Sequence, residues 1–218
     1  MEFDYTLEYS GIDYGVVSQH QPNRTCLKGE NSRRFSKTLL QSPRGDRVIF
    51  IKAGLGGGHY GCEQKYLRIA HRLRDKYGYS VIVGSNPNDG NSHTMIDKAM
   101  LDGFVDAEKI TLPRFSFFGH SNGGIKGLEL AASGICFDRM VLVNTPLMIN
   151  YHKTKRMIGQ IPNTQITMVY GEYDPSFDYI PFFDGKFNNV SVLKIPGADH
   201  NFSDMLDDFI ALADMLAE

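Results

Sequence analysis

Phe117-Phe118-Gly119-His120-Ser121-Asn122-Gly123-Gly124 decides how the rest of this 218-residue chain is read. An aromatic run suited to a strand passes through Gly-x-Ser-x-Gly into a stretch suited to a helix. A serine in so tight a strand-to-helix turn takes a strained backbone. Side chains two positions to either side would collide there, so glycine at 119 and 123 relieves the crowding. The turn presents the Ser121 hydroxyl outward. A helix starting at Asn122 aims unpaired amides and its positive dipole end at the same point, which suits an oxygen acquiring negative charge. A glycine-rich turn with no chemistry can carry the same letters, so the surrounding chain must decide.

Outward from this turn, short β-branched or aromatic runs alternate with longer stretches of helical period, the pattern of βαβ units on a mainly parallel, doubly wound α/β sheet. Strands are expected at Val48–Ala53, Ser80–Gly84, Phe115–Gly119, Met140–Asn144, Ile166–Tyr170 and Val190–Ile195. Cys62, Tyr66, Ile69, Ala70, Leu73 and Tyr77 share one helical face, with Gly78 placed as its C-cap. Met205, Phe209, Leu212 and Leu216 form a second stripe behind an N-cap at Ser203. Residues 1–46 read as antiparallel edge strands at Phe3–Tyr9, Asp13–Ser18 and Phe35–Gln41, with a polar loop over Gln21–Arg34. No repeat, low-complexity tract or linker divides the chain, so one domain over residues 1–218 is expected.

Lysine and arginine number 23 against 25 aspartates and glutamates, a net charge of −2. Without a positive field, nucleic acid and anionic lipid are not expected partners. The apolar runs are strand-sized, far short of the roughly 20 residues that cross a bilayer. The acidic, alternating start does not resemble a secretion signal, so a cytoplasmic location is expected. Cys26, Cys62 and Cys136 are widely separated with no Cys-x-x-Cys pair, which indicates reduced side chains and no disulfide framework or cysteine zinc site.

A serine hydroxyl is a poor nucleophile without a base in hydrogen-bond reach and a carboxylate to orient that base. Both follow in chain order. Gly171-Glu172-Tyr173-Asp174-Pro175 comes after one expected strand, and Gly197-Ala198-Asp199-His200-Asn201-Phe202 after the next. In open α/β sheets ligands bind beyond the carboxyl ends of the strands, so Ser121, Asp174 and His200 are expected to converge there.

With Gly-His-Ser-Asn-Gly as elbow, Gly-Glu-Tyr-Asp-Pro as acid loop and Gly-Ala-Asp-His-Asn-Phe as histidine loop, residues 36–218 resemble an α/β-hydrolase. The resemblance implies that Ser121 is the nucleophile, His200 the general base and later acid, and Asp174 the group fixing the imidazole tautomer. Among rivals, His120 precedes the serine and points away from it. Asp199 adjoins the histidine itself, and Asp178 falls in a following short helix. An oxyanion hole of this family uses the amide after the nucleophile, here Asn122, and one from the loop after the first core strand. That loop reads Ala53-Gly54-Leu55-Gly56-Gly57-Gly58-His59-Tyr60-Gly61. Relatives commonly begin it His-Gly, so matching the glycine makes Leu55 the donor, with Gly56 the alternative register.

Gly56-x-Gly58-x-x-Gly61 also formally matches a dinucleotide fingerprint. The following strand ends Gly84-Ser85-Asn86 where an acidic residue should meet the ribose, and no Lys-Ser or Lys-Thr follows Gly58. No metal or organic cofactor is therefore expected. Only residues 147–165 stand where relatives insert a lid, enough for one helix, so the site should be open to small or extended substrates. Expected lining residues are Leu55, His59, Tyr60, Tyr173 and Phe202, with Met148 and Tyr151 from the lid position. The expectation is a serine hydrolase acting on a carboxylic ester of a small-molecule acyl substrate. A thioesterase, amidase or peptidase with the same residues, and a non-catalytic binding protein of the same fold, are the alternatives.

Overall fold

The computed structural model describes residues 46–88, 94–108 and 110–217, together with the backbone of strands at 2–9, 17–19 and 33–40. Among the described residues nine strands form one sheet: β1 (Glu2–Tyr9), β2 (Val17–Gln19), β3 (Arg33–Leu40), β4 (Arg47–Lys52), β5 (Ser80–Gly84), β6 (Arg114–His120), β7 (Phe137–Val143), β8 (Gln165–Gly171) and β9 (Val190–Ile195). Their spatial order is β2-β1-β3-β5-β4-β6-β7-β8-β9. The run from β5 to β9 is parallel throughout, while β1, β2 and β3 form an antiparallel edge joined through Lys37–Leu40 to Val81–Gly84.

The helices are α1 (Lys65–Tyr77), α2 (Thr94–Glu108), α3 (Asn122–Ala132), α4 (Leu147–Gln160) and α5 (Leu206–Ala211). Helices cover both faces of the parallel sheet, and the strand sequences show it. Along β4, Val48 and Phe50 join the core beneath α2, α3 and α4, while Ile49 and Ile51 join the core beneath α1 and α5. A strand buried on both sides reads as a continuous apolar run and not as an alternation. The exception is Lys52, fully buried and ion-paired to Asp97 of α2 at 2.5 Å. A paired charge is the form in which a lysine can sit in a core.

The chain winds from β4 outward to β5, then crosses back to β6 on the other side of β4. This reversal leaves a crevice beyond the carboxyl ends of β4 and β6, where the connecting loops part to opposite faces. The loop after β4 and the turn at Ser121 both open there.

Several boundaries differ from the sequence reading. At the edge, Arg33 and Arg34 belong to β3, not to a loop; residues 10–16, 20–32 and 41–45 lie outside the described residues, with Cys26 among them. Cys62 is exposed in a separate 3-10 turn at Cys62–Gln64, ahead of α1. Glu63 and Gln64 there take positive φ of 51° and 58°, so the helix and its buried face start only at Lys65. Gly78 does cap α1 in the left-handed conformation, at φ 72°. The C-terminal stripe divides between α5 and a 3-10 turn at Leu212–Leu216, and Ser203 is not its N-cap. The Ser203 hydroxyl donates instead to Asp199 Oδ2 at 2.6 Å.

Candidate active site

Ser121 sits between β6 and α3 with φ 56° and ψ −129°, a conformation that costs a non-glycine residue about 1–3 kcal/mol and persists only where its surroundings over-determine it. The constraints are visible. The Ser121 amide donates to the Val143 carbonyl of β7 at 2.8 Å, and the Gly124 amide returns to the Ser121 carbonyl at 2.9 Å. A Cβ on Gly123 would stand 2.2 Å from the Lys52 carbonyl oxygen, and one on Gly119 would stand 2.7 Å from the Gly124 nitrogen. The glycines let the helix start pass against β4 and β6, and the serine is the residue turned outward.

His200 Nε2 lies 2.9 Å from Ser121 Oγ, and His200 Nδ1 lies 2.5 Å from Asp174 Oδ2. Asp174 follows β8 and is buried; its other oxygen accepts the Ser176 amide at 2.7 Å. A carboxylate oxygen can only accept, so Nδ1 carries a proton and Nε2 is the lone pair facing the serine hydroxyl. The His200 side chain is 37% exposed, so its ring is accessible to a ligand while Asp174 behind it is not. Asp199, the neighbouring acid, spends its carboxylate on its own loop: Oδ1 accepts the Asn201 and Ser203 amides, and Oδ2 the Ser203 hydroxyl. These bonds hold its carboxyl below the usual aspartate range.

Beneath this chain lies a buried polar floor. His120 is the residue before Ser121, and its ring turns inward. Its Nε2 donates to the His200 carbonyl at 2.8 Å, and Nδ1 accepts from the Tyr66 hydroxyl at 2.9 Å. The Tyr66 hydroxyl in turn accepts the Gly54 amide at 3.4 Å. Burial, and secondarily the charge of Lys65, lowers the His120 pKa to about 3, so the ring is neutral. Burial raises Tyr66 to about 12. Asn144, at the end of β7 with φ 48°, donates to the Asp199 and His200 carbonyls at 3.1 and 2.9 Å and accepts the Gly171 amide at 2.9 Å. The backbone of His200 is thus held from two sides, by His120 and Asn144.

Asn86 performs the same service for the loop after β4. It is fully buried; its side-chain amide donates to the Ala53 carbonyl at 3.0 Å and to Asn122 Oδ1 at 3.1 Å. Its backbone exchanges bonds with Gly56 and Gly57 at 2.7 and 2.9 Å. Those bonds bear on the two registers the sequence left open. The Gly56 amide is spent on Asn86 and the Gly57 amide on Gly54, so neither points to the crevice. The Leu55 and Asn122 amides have no backbone acceptor among the described residues, and the loop carrying Leu55 passes close to the serine: a Cβ on Gly54 would stand 3.2 Å from Ser121 Cβ and 3.7 Å from its Oγ.

The expected lining residues separate. Met148 and Tyr151 line an open groove along α4, while Leu55 and Tyr173 are exposed on the loops. His59 and Tyr60 lie against each other, ring centroids 4.0 Å apart. Phe202 is corrected: it is buried, its ring 5.4 Å from that of Phe209, because its φ of 56° turns the chain inward after His200. Asn86 and Asn144 were not singled out by sequence. A lone asparagine at a strand end is a weak signal, and only the bonds it makes mark it.

No family model and no curated protein matches the sequence. Solved structures match it in fold. A dienelactone hydrolase from Anabaena variabilis superposes with a TM-score of 0.69 at 16% identity, covering 90% of this chain and 97% of that one. Est1E from Butyrivibrio proteoclasticus gives 0.66 at 15%, covering 84% and 93%. An alpha-beta serine hydrolase homologue from Coxiella burnetii gives 0.64 at 16%, covering 83% and 90%. The chain has the α/β-hydrolase fold. Among the described residues no helix is long and apolar enough to cross a membrane, and no cluster of histidine, cysteine, aspartate and glutamate has the arrangement to hold a metal ion.

Proposed function

We propose that the chain is a serine hydrolase that cleaves carboxylic esters through an acyl-enzyme. The observation that carries this reading is the pair of contacts made by one imidazole, 2.9 Å to Ser121 Oγ and 2.5 Å to Asp174 Oδ2. Esterase-type neighbours of the same fold support it.

In the first half-reaction His200 Nε2 takes the Ser121 proton as Oγ bonds to the ester carbonyl carbon. The carbonyl π pair moves onto oxygen, and the Asn122 and Leu55 amides donate to that oxyanion. When the pair returns, the bond to the alcohol oxygen breaks, and His200 gives its proton to the leaving alkoxide. Water then repeats the sequence against the acyl-enzyme, returning the Ser121 hydroxyl and releasing the carboxylic acid. Asp174 keeps its charge throughout and stabilises the imidazolium. One amide donor of this kind contributes about 3–4 kcal/mol to the transition state.

A fluorophosphonate probe tests the nucleophile directly. It should label the protein on the peptide containing Ser121, and Ser121→Ala should abolish both labelling and turnover of p-nitrophenyl acetate while leaving the circular dichroism spectrum unchanged. Full esterase activity in Ser121→Ala would remove the reading.

A further inference from the structure

Beside the candidate site, α4 and the 3-10 turn at Phe177–Phe182 enclose an open groove of about 670 Å³. Its lining is mainly apolar, from Met148, Ile149, Tyr151, Tyr179 and Phe182, with Asn150, His152, Lys153 and Arg156 of α4 completing it. Tyr151 meets the rings of Phe182 and Phe183 edge-on, both at 5.5 Å, so the floor is already packed. The upper wall is not. Ile149 is 75%, Met148 53% and Phe182 52% exposed, three of the seven large apolar side chains left open among the described residues. Apolar side chains gathered in one concavity are the usual lining of a ligand site, whereas scattered ones need no explanation.

The charge at the groove is of one sign. Helix α4 carries His152, Lys153, Lys155 and Arg156 and no acidic residue. Lys153 is engaged by Glu129 at 2.5 Å, and Lys155 lies over the Tyr151 ring at 5.9 Å. Arg156 lines the groove and forms none of the ion pairs found among the described residues; Asp178, on the facing turn, is not part of the lining. Asn150 breaks the helix at φ −127° and ψ 16°; beyond it, helix rise carries the groove a further ~8 Å from Tyr151 to Arg156, so that with Met148 before the break the length suits a medium-length alkyl chain. The near end is tied to the acid loop of the candidate site, since the Met148 amide donates to Ser176 Oγ at 3.4 Å and the Ser176 amide donates to Asp174 Oδ1 at 2.7 Å.

Building on the proposed esterase chemistry, we propose that this groove holds the apolar arm of the substrate and that Arg156 receives a carboxylate at the arm's far end. The substrate class is then a medium-chain ester with an anionic terminus. A guanidinium pairs with a carboxylate through two parallel hydrogen bonds, a geometry that a lysine ammonium reproduces only in part.

The test compares p-nitrophenyl hydrogen sebacate with p-nitrophenyl decanoate, equal in chain length and different only at the far end. The native protein should show a KM about fivefold lower for the sebacate half-ester, the scale of a solvent-exposed ion pair. Arg156→Gln should bring the ratio of the two KM values to about one by raising the KM of the sebacate half-ester, and Arg156→Lys should restore part of the ratio. Sebacate itself should raise the Tm of Ser121→Ala protein and fail to do so once Arg156→Gln is added. If sebacate binds in this way but neither ester is cleaved, the groove assignment stands and the hydrolase reading falls. If both esters are cleaved alike, or Arg156→Gln slows both equally, the groove assignment is overturned and the hydrolase reading stands. A Phe182→Glu variant that lowers the sedimenting mass without changing either KM would show the groove to be an interface between copies, which also overturns it.

Discussion

His120 and His200 stand with ring centroids 5.5 Å apart, and they are put to opposite uses. His200 lies at the rim, partly open to solvent, with a lone pair on a hydroxyl and a proton on a carboxylate. His120 lies in the floor beneath, buried and neutral, spending both nitrogens on a backbone carbonyl and a tyrosine. In the proposed reaction the accessible ring, beside its charge partner, is the proton carrier, while the ring with both nitrogens occupied in a dry setting is a fixed strut. The floor is what holds the rim: two of its members, His120 and Asn144, grip the carbonyl of His200 itself.

The difference is best broken first at the rim. Asp174→Asn reverses the hydrogen-bond polarity at Nδ1 and so favours the wrong tautomer of His200; kcat should fall about 10⁴-fold with the fold intact. Asp199→Asn, which touches only its own loop, should change kcat by less than about threefold on the scale of exposed pairs. Equal losses in the two variants would mean that the buried carboxylate has no special role.

Striking the floor should cost less. Asn86→Ala releases the Ala53 carbonyl and the Asn122 side chain without touching substrate, Ser121 or His200. Misplacing a donor by about an ångström lowers kcat on the order of 10²-fold with little change in KM for a small ester. A rise in KM at constant kcat would assign Asn86 to substrate binding and not to positioning the oxyanion loop.

The smallest effect is one of stability. Unfolding returns His120 from about 3 to its ordinary 6.5, so below pH 6.5 the unfolded chain binds a proton that the folded chain refuses. The contribution is whole above pH 6.5 and is lost as pH falls towards 3, at a slope approaching about 1.4 kcal/mol per pH unit. Urea unfolding at pH 7 and pH 5 should show this loss in the native protein. It should be shallower by about one proton in His120→Gln, and an unchanged slope would show that the floor admits charge.

Much of this molecule is written locally. Glycines at 119 and 123, the apolar runs of β4 to β9, and the placement of Asp174 and His200 just past strand ends follow from steric demand and burial, which act on neighbours in the chain. Sequence alone therefore determined the fold class, the strand positions to within a few residues and the turn at Ser121. Only the tertiary structure separated the two candidate amides of the loop after β4, because the Gly56 amide is claimed by the Asn86 carbonyl thirty positions further along the chain. It also turned Phe202 inward, made His120 a strut and opened the groove at Arg156. These outcomes rest on bonds and packing between residues that sit tens of positions apart, as Tyr66 and His120 do, and such pairings leave no periodic mark in the chain.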